Sequence, residues 1–286
     1  MDKYRVLYNP LACNNAGLDK ARELCAQLDG DSVFEDITKI DDILAFLNGA
    51  DENEKVVIAG GDGTLNRLIN DHDGATPERD LYYYPCGSGN DFMADVADKT
   101  KGKLVHMNEY LENLPVVTVN DKSYRFLNGI GYGIDGYCCE VGDAMRASDS
   151  SKDINYTSIA IKGLLFHYKP VNATIIVDGV EHKYNKVWLA PTMNGRFYGG
   201  GMMVAPEQDR LNSDGKLSVV IMYGSGKLKT LMVFPNIFKG KHVEHTEMVE
   251  VLTGKEISVT FDNPTALQID GETIVGVTSY SAKSVR

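Results

Sequence analysis

The feature that most constrains this chain is a strand pattern that runs straight into a glycine-rich turn and then into a helix. The apolar run Lys55–Ala59 is followed by Gly60–Thr64, and a helical pattern begins near Leu65. Glycines let the backbone come within hydrogen-bonding reach of phosphate oxygens, and the amides of a helix N-terminus favour negative charge. The segment therefore predicts a phosphate-binding loop at the end of a buried strand.

Asp62 lies inside this loop, where it would repel a bare phosphate. Its presence indicates a divalent cation between the carboxylate and the phosphate oxygens. The alternative is a tight turn in which Asp62 or Thr64 caps the helix. A Walker loop is excluded, because the Gly-Lys-Ser/Thr ending is missing.

The first third of the chain alternates between short apolar runs and helical patterns. The strand patterns are Tyr4–Tyr8, Lys55–Ala59 and Leu81–Tyr84, and the helical patterns are Leu18–Leu28, Asp41–Leu47 and Leu65–Asn70. That alternation predicts βαβ units and a mostly parallel sheet, as in a Rossmann-like α/β domain.

A second glycine-rich loop, Pro85–Phe92, follows the aromatic strand pattern Leu81–Tyr84. Ser88 and the glycine amides are candidate phosphate ligands, and Asp91 is a second candidate ligand of the same metal. Taken alone, Gly-Ser-Gly-Asn-Asp is an ordinary loop. Because parallel sheets bind ligands at the carboxyl ends of their strands, we expect the two glycine-rich loops to converge on one crevice.

From about Pro115 the sequence becomes a series of short strand patterns separated by turn pairs. These strand patterns are Val116–Val119, Ala173–Val177, Leu217–Tyr223, Glu256–Phe261 and Ala266–Ile269, with turn pairs such as Asn120-Asp121 and Asp178-Gly179. Their spacing predicts a C-terminal antiparallel β-sandwich domain. We therefore expect an α/β domain over residues 1–114 and a β-rich domain over residues 115–274. Whether residues 275–286 return to the first domain is left open.

The composition limits the setting in which such a chain works. A formal net charge of -11 disfavours general affinity for nucleic acid or anionic membrane. The apolar runs are shorter than the roughly 20 residues of a membrane-spanning helix, and we expect no signal peptide. Five cysteines without metal-ligand spacing suit a reducing compartment better than a disulfide framework. We expect a cytoplasmic protein, with any membrane contact peripheral and local.

Six motifs follow one another along almost the whole chain. They are Asn9-Pro10, Gly60–Asn66, Pro85–Asp91, Gly199–Gly201 with Ala205-Pro206, Asp214–Leu217 and Asp270–Glu272. In this order they resemble the signatures of the soluble bacterial diacylglycerol kinase family. That family is similar to sphingosine and ceramide kinases, and it shares its glycine–aspartate motif with the NAD kinases and phosphofructokinases.

The resemblance implies the NAD kinase/diacylglycerol kinase-like fold and a transferase of lipid metabolism that acts in phospholipid biosynthesis. Such an enzyme uses ATP and Mg²⁺ to phosphorylate a hydroxyl of diacylglycerol or of a related lipid, by in-line transfer with a carboxylate as general base. Nothing in the sequence decides which lipid is the acceptor.

The resemblance also implies roles for individual residues of the first domain. The nucleotide would be bordered by Asn9, Pro10, Leu11, Ala12, Cys13 and Thr38. The main ATP-binding loops would consist of Gly61, Asp62, Gly63, Thr64, Leu65, Asn66, Arg67 and Ser88. Asp62 and Asp91 would organise the catalytic Mg²⁺.

In the β-rich domain, the resemblance implies a structural Mg²⁺ loop and a catalytic carboxylate. Asp214 would give its side chain to the cation, and Leu211 and Lys216 would give backbone carbonyls. Glu272 matches the proton acceptor, and Asp270 stays a second candidate for the base. As isolated sequences, Asp214-Gly215 and Asp270-Gly271-Glu272 are typical of hairpin turns.

Two positions depart from the family pattern. Ala12-Cys13 stands where a small hydroxyl residue and a glycine are usual, which predicts weaker or rearranged contact in the first phosphate-side loop. Val117 stands where the family often has an aspartate of a hydrated Mg²⁺ network, and Asp135 is a candidate substitute. These departures leave open a nucleotide- or lipid-binding sensor without turnover. The first motif equally permits a kinase of a soluble acceptor such as NAD.

The apolar segment Leu228–Phe238, which lies among lysines, has two interpretations. It either covers the core of the β-rich domain, which we favour, or meets the bilayer from which a lipid is drawn. The expected partner is a lipid substrate reached by transient contact with a membrane surface, and a homodimer is left open.

Overall fold

The computed structural model describes residues 2–71, 75–87, 89–99, 104–148, 159, 162–163 and 167–286. The chain divides into two compact units, Met1–Leu114 and Pro115–Arg286. The boundary between the units falls where the sequence pattern changes from alternating strands and helices to closely spaced strands.

A five-stranded sheet with the order β2-β1-β3-β4-β5 forms the centre of the first unit. Its strands are β1 (Asp2–Tyr8), β2 (Gly30–Asp36), β3 (Glu54–Gly60), β4 (Leu81–Pro85) and β5 (Val105–His106). Strands β1 to β4 pair in parallel, and β5 joins β4 antiparallel. The predicted mostly parallel sheet is confirmed.

Short helices connect these strands. They are α1 (Ala12–Asn15), α2 (Gly17–Cys25), α3 (Ile43–Gly49), α4 (Asp62–Asn70), α5 (Asp91–Val96) and α6 (Asn108–Leu111), with 3-10 turns at Ile37–Lys39 and Ala97–Lys99. Helix α4 begins at Asp62 and not near Leu65. The glycine–aspartate motif therefore forms the first turn of the helix itself.

The centre of this sheet is apolar on both faces. Val56, Val57 and Ile58 of β3 are fully buried, as in parallel strands that helices cover on both sides. Tyr83 of β4 packs edge-to-face on Phe92 of α5, with ring centroids 5.7 Å apart. This contact fixes α5 against the sheet directly after the second glycine-rich loop.

A ten-stranded antiparallel sheet dominates the second unit. Its main order is β15-β14-β11-β8-β16-β17-β6-β7, and β9 pairs with both β10 and β16. The strands are β6 (Val116–Val119), β7 (Lys122–Arg125), β8 (Gly129–Tyr132), β9 (Val171–Val177), β10 (Val180–Val187), β11 (Thr192–Met193), β14 (Leu217–Met222), β15 (Val249–Gly254), β16 (Glu256–Ile269) and β17 (Glu272–Lys283). A separate pair consists of β12 (Phe197–Tyr198) and β13 (Met202–Met203).

The long strand β16 connects the parts of this sandwich. Its first half pairs with β9, its last residues pair with β8, and β17 runs along its other edge. The register shifts between Thr260 and Thr265, around Pro264, which has no N–H to donate to a ladder. The predicted β-sandwich is confirmed, and the two predicted strands Glu256–Phe261 and Ala266–Ile269 are the two halves of β16.

Strand β17 places the end of the chain in the second unit. It forms a hairpin with β16 and also pairs with β6. Residues 275–286, whose return to the first domain the sequence left open, are grouped with the second unit. The tight turn at Asp270-Gly271 holds the final strand against β16, where it completes the sheet.

Among the residues that the structure describes, helices α7 (Ile134–Ser148) and α8 (Lys227–Val233) and the 3-10 segments Phe234–Lys239 and Lys241–Glu244 accompany this sheet. The segment Leu228–Phe238 covers the core with Val233, Phe234 and Ile237, which are buried. In the part of the chain that the structure describes, no helix is long and apolar enough to cross a membrane.

Candidate active site

The two glycine-rich loops of the first unit meet at the carboxyl ends of β3 and β4. A Cβ atom added to Gly61 would lie 2.9 Å from the Cα of Gly87, and one added to Gly87 would lie 2.7 Å from the Cα of Gly61. The amide of Cys86 donates a hydrogen bond of 2.7 Å to the carbonyl of Gly60. Glycine is therefore required at both positions, because the two backbones touch.

Asp62 joins the first loop to the helix that follows the second. Its Oδ2 accepts a hydrogen bond of 3.0 Å from the amide of Asp91, and its Oδ1 accepts one of 3.0 Å from the amide of Phe92. The carboxylate thus caps the N-terminus of α5, not that of its own helix. Asp91 is buried, with 6% exposure, and its backbone amide lies against the carboxylate of Asp62.

Asn9 ties the loop after β1 to the same structure. Its Nδ2 donates to the hydroxyl of Thr64 at 3.0 Å, and its amide donates to the carbonyl of Ala59 at 3.1 Å. Its Oδ1 accepts from the amide of Leu11 at 3.0 Å. The loops after three neighbouring strands, β1, β3 and β4, are therefore linked at one edge of the sheet.

Cys13 shows why glycine is usual in the first loop. It adopts a left-handed backbone conformation, with φ 51, which a side chain makes costly by about 1 kcal/mol. Its Sγ donates a hydrogen bond to the carbonyl of Cys86 in the second loop. Burial raises the pKa of Cys86 itself to about 12. The thiol of Cys86 is therefore neutral. Cys13 lacks the conformational freedom of glycine, and its side chain forms a hydrogen bond that joins the two loops.

Three other residues assigned to the nucleotide have different surroundings in the structure. Thr38 follows β2 and donates its hydroxyl and its amide to Asp36 Oδ1, at 2.7 and 3.0 Å. Leu65 is fully buried in the core. Arg67 points along the helix surface to Asp71, with an Nε to Oδ2 distance of 2.9 Å.

The remaining assigned positions of the first unit include Asn66, which is buried in α4 at 8% exposure. Pro10 and Ala12 flank the exposed Leu11, and Gly63 is exposed in the first turn of α4. Ser88, which the sequence assigned to the ATP-binding loop, lies outside the described residues.

A groove near these strands lies at their opposite ends. It has a volume of about 510 Å³ and is lined by Asn48, Ala50, Glu52, Asn53, Glu54, Lys55, Glu78, Arg79, Asp80 and Tyr82. Its acidic side chains outnumber its basic ones, so the groove carries a net negative charge that would repel phosphate groups. The carboxyl ends of the strands remain the candidate site.

In the second unit, the turn between β16 and β17 carries the other carboxylates. Asp270 is buried, and its Oδ1 accepts from the amides of Asn128 and Gly129 at 2.8 and 3.0 Å. Its Oδ2 accepts from the amide of Leu127 at 2.5 Å. Glu272, two residues further, is exposed. Asp270 is therefore a clamp on the backbone, whereas the carboxylate of Glu272 faces solvent.

Arg210 forms hydrogen bonds to the same segment, and the sequence analysis did not predict a role for it. It is 3% exposed and donates from Nη1 to the carbonyl of Leu127 at 3.2 Å and from Nη2 to Asn128 Oδ1 at 3.0 Å. The property that sets Arg210 apart is its burial, since arginine is rarely buried. Burial depends on the fold, so the sequence alone does not identify this residue.

The loop assigned to a structural Mg²⁺ is closed by its own side chains. The carbonyl of Lys216 accepts from Gln208 Nε2 and from Asn212 Nδ2, each at 2.9 Å. The Nζ of Lys216 lies 3.3 Å from Asp214 Oδ2. Both lone pairs of this carbonyl are thus engaged by side-chain amides, and Leu211, Asp214 and Lys216 stay predicted ligands of a structural Mg²⁺.

Val117, the departure from the family pattern in the β-rich domain, and Asp135, its candidate substitute, lie in the interior of the second unit. Val117 is fully buried in its core. Asp135 begins α7 and is 6% exposed. Burial raises the pKa of Asp135 to about 6, although nearby amides and the hydroxyl of Tyr198 oppose that shift. Asp135 is thus an interior carboxylate of this unit.

Two family models together match almost the whole chain. Residues 3–117 match the diacylglycerol kinase catalytic domain, and residues 128–283 match the YegS C-terminal NAD kinase beta sandwich-like domain. The chain belongs to the diacylglycerol kinase family. The resemblance inferred from the six motifs is confirmed.

Individual relatives support this membership. A diacylglycerol kinase of Mycobacterium tuberculosis (strain CDC 1551 / Oshkosh) is 27% identical over 269 residues, which are 86% of this chain and 81% of the relative. A Staphylococcus aureus (strain JH9) protein assigned provisionally as a lipid kinase is 29% identical over 251 residues, which are 83% and 76% of the two chains. The similarity therefore extends over both units.

A solved structure shares the fold. A Bacillus anthracis (strain Sterne) protein assigned provisionally as a diacylglycerol kinase aligns with a TM-score of 0.67 and 18% identity, covering 100% of this chain and 92% of the other. At this identity the alignment shows the common fold of the diacylglycerol kinase family and nothing about the acceptor.

Proposed function

We propose that this protein is an ATP-dependent, Mg²⁺-dependent kinase that phosphorylates a hydroxyl of diacylglycerol or of a related lipid. The observation that carries the proposal is the contact of the two glycine-rich loops, with Asp62 joined to the N-terminus of α5. Membership of the diacylglycerol kinase family, over both units, supports the lipid as the class of acceptor.

The phosphates of ATP would lie against the backbone of Gly61, Gly63 and Gly87. Helix α4 begins within this loop, and the positive end of its dipole favours an anion there. Asn9 and Thr64 hold the neighbouring backbone through their mutual hydrogen bond of 3.0 Å. These contacts keep the loop rigid, which favours correct orientation of the transferred group.

Asp62 and Asp91 suit a Mg²⁺ ion that also binds phosphate oxygens. Magnesium sites in kinases use one or two carboxylates, with phosphates and water as the other ligands. The two amides that bond to Asp62 occupy one direction at each of its oxygens and orient the carboxylate. The bound ion would neutralise charge on the transferred phosphoryl group.

Glu272 is the residue that we assign as the general base. Its exposed carboxylate can reach a hydroxyl, whereas the oxygens of Asp270 are engaged by three backbone amides. The acceptor hydroxyl would attack the γ-phosphorus in line with the leaving oxygen of ADP and give its proton to Glu272. Asp270 would fix the turn that carries this base.

An exposed apolar face on α8 suits transient contact with a membrane. Leu228 and Met232, which we call the docking face, are 74% and 72% exposed and lie one helical turn apart. Lys227 and Lys229 lie on the same short helix, and Lys229 Nζ is 2.9 Å from Glu247 Oε1. We propose that this face meets the anionic surface from which the lipid is drawn.

The test is incubation with γ-labelled ATP, Mg²⁺ and a total lipid extract, followed by identification of the labelled product. A labelled lipid that partitions into organic solvent, and that is lost with Asp62→Ala, is the expected result. A labelled water-soluble product would indicate a soluble acceptor such as NAD. Nucleotide binding without transfer to any acceptor would indicate a sensor, and full transfer by the Asp62→Ala protein would contradict the proposed site.

A further inference from the structure

One peptide group of the second unit lies between two buried side chains of opposite charge. Arg210 is 3% exposed and Asp270 is 8% exposed. Nη1 of Arg210 donates to the carbonyl oxygen of Leu127 at 3.2 Å, and the amide of Asn128 donates to Asp270 Oδ1 at 2.8 Å. That oxygen and that amide belong to the same peptide group, which we call the bridging peptide. Two hydrogen bonds and one peptide plane therefore connect the arginine to the aspartate.

The geometry of the bridging peptide decides how the two charges act on it. Because the peptide is trans, its C=O and its N–H point in opposite directions. The positive guanidinium thus lies at the oxygen, and the negative carboxylate lies at the hydrogen. Each charge polarises the peptide in the sense that strengthens the other hydrogen bond. Arg210 and Asp270 therefore form an ion pair with a peptide group between its two ends.

Both members of the pair make further bonds to the same segment. Nη2 of Arg210 donates to Asn128 Oδ1 at 3.0 Å, so the planar fork of the guanidinium bonds to two consecutive residues. Asp270 also accepts from the amides of Leu127 and Gly129, and its own amide donates to the carbonyl of Gly129 at 3.1 Å. The segment cannot move relative to either charge without the loss of several hydrogen bonds.

Asn194 completes the hydrogen bonding around the bridging peptide. Its Nδ2 donates to the carbonyl of Leu127 at 2.9 Å. The carbonyl of Asn128 accepts from the backbone amides of Asn194 and Gly195 at 2.9 and 3.0 Å. Both carbonyls of the segment thus accept two bonds each, and a buried network whose polar groups are satisfied is rigid. A displacement of Arg210 would therefore be transmitted to Asp270.

Asp270 connects this network to the proposed general base. Asp270 and Gly271 have positive φ, of 46 and 98, so the turn that they form depends on surrounding contacts to keep its shape. Glu272 is the next residue and is exposed. The contacts of Asp270 therefore restrict where the Glu272 carboxylate can lie.

We propose that Arg210 is a positioning residue, which acts through the bridging peptide to hold Asp270 and, with it, the turn that presents Glu272. The effect on catalysis rests on the proposed function. The ion pair across the peptide does not rest on it, and it can be measured without substrate. A general base displaced by about 1 Å loses roughly a hundredfold in rate, so the positioning has a measurable consequence.

The experiment compares substitutions of two arginines that donate to backbone carbonyls. Arg210→Met keeps an apolar stem and removes the charge and the donors. Arg210→Lys keeps a charge and N–H donors, and it also serves if Arg210→Met fails to fold. Arg79→Met is the matched control, because Arg79 donates to the carbonyls of Leu47 and Ala50 in the first unit. Each variant is made with and without Asp270→Asn.

The equilibrium constant for unfolding in urea is the first readout. We expect Arg210→Met and Asp270→Asn each to raise it roughly a hundredfold, because each removes one charge of a buried pair. The double variant should raise it at least roughly tenfold less than the product of the two effects, whereas Arg79→Met should show no such coupling to Asp270→Asn. Effects of Arg210→Met and Asp270→Asn that simply multiply would overturn the ion pair.

Arg210→Lys tests the part played by charge. We expect its unfolding constant to lie closer to the wild-type value than that of Arg210→Met, because the lysine ammonium can still donate to the carbonyl of Leu127. Equal losses in the two variants would overturn the role of the charge at position 210.

Turnover, measured well below the Tm of every variant, is the second readout. With the acceptor identified for the wild-type protein, we expect kcat to fall at least roughly tenfold in Arg210→Met, with the KM for ATP unchanged, and to recover in part in Arg210→Lys. Arg79→Met should keep the wild-type kcat. An unchanged kcat in Arg210→Met would refute the positioning role. A wild-type protein that transfers phosphate to no acceptor would contradict the proposed function, and the unfolding data would still decide the ion pair.

Discussion

Asparagine at position 270 keeps the shape of the side chain and removes its charge and one acceptor oxygen. In the folded protein, Oδ1 of Asp270 bonds to the amides of Asn128 and Gly129, and Oδ2 bonds to the amide of Leu127. The oxygen of the new amide can replace Oδ1. Its NH₂ group would face the N–H of Leu127, so that one buried donor loses its acceptor.

The expected cost follows from these contacts. A hydrogen bond to a charged group contributes about 1.5–3 kcal/mol, and leaving a buried donor unpaired costs a similar amount, so we expect a loss of about 3 kcal/mol for Asp270→Asn. For a unit of this size, such a loss lowers Tm by roughly 6–12 °C. The substitution tests the clamp, because an exposed carboxylate would show no effect of this size.

Glu272→Gln is the matched variant for the base. The side chain is exposed, and surface substitutions of this kind change the free energy of unfolding by about 0.5 kcal/mol or less. Removal of a general base lowers turnover by roughly 10²–10⁴-fold. We therefore expect Glu272→Gln to keep its Tm and to lose label transfer from γ-labelled ATP to lipid.

The two variants together separate the clamp from the base. The assays are thermal unfolding followed by circular dichroism, and label transfer measured below the Tm of both variants. An Asp270→Asn protein with unchanged Tm would refute the reasoning about the clamp. A Glu272→Gln protein with wild-type turnover would refute its assignment as the base.

Three other predictions follow from the geometry. Gly87→Ala should weaken ATP binding at least roughly tenfold, measured by calorimetry, because a Cβ there collides with the opposite loop, whereas Gly49→Ala, whose Cβ meets nothing within 4 Å, should bind normally. Serine at both positions of the docking face should weaken sedimentation with phosphatidylcholine–phosphatidylglycerol vesicles roughly tenfold, and Val180→Ser, at another exposed apolar site, should not. His242 has a pKa lowered to about 4 by burial, so its stabilising contribution is present above pH 6.5 and is lost as pH falls towards 4. Asp135, with its pKa raised to about 6, acts in the opposite sense and loses its contribution as pH rises from 3.8 to 6. Asp135→Asn should therefore steepen the fall in unfolding free energy between pH 6.5 and 4, and equal slopes in the two proteins would contradict the shift at Asp135.

The sequence predicted the parts of the fold that depend on local pattern. The turn pairs Asn120-Asp121 and Asp178-Gly179 have positive φ at their central residues and form hairpins, as their residue types require. Strand β2 was missed, because it is an edge strand with few apolar residues and only partial burial. Its position depends on pairing with β1, which local pattern does not encode.

The candidate site was predictable only in part. Glycine spacing after two strands was enough to predict that the loops converge, since the carboxyl ends of neighbouring parallel strands lie side by side. The partner of Asp62 was not predictable, because the amides of Asp91 and Phe92 come from another loop. The roles of Asp270 and Glu272 could not be separated either, since the difference between them is burial against a segment far away in sequence.

The net charge of the chain bears on how the proposed phosphate site would attract ATP. The protein has a formal net charge of -11, and the proposed phosphoryl donor is itself a polyanion. Of the residues assigned to the nucleotide, Arg67 is the cationic one, and its guanidinium is paired with Asp71. In the proposed site, attraction for ATP would come from amides, from the start of α4 and from a cation bound near Asp62. Those amides are positioned by the contact of Gly61 with Gly87 and not by removable side-chain charges. The glycine motif therefore predicts phosphate binding but does not predict the acceptor, because the groups that select the acceptor lie outside the motif.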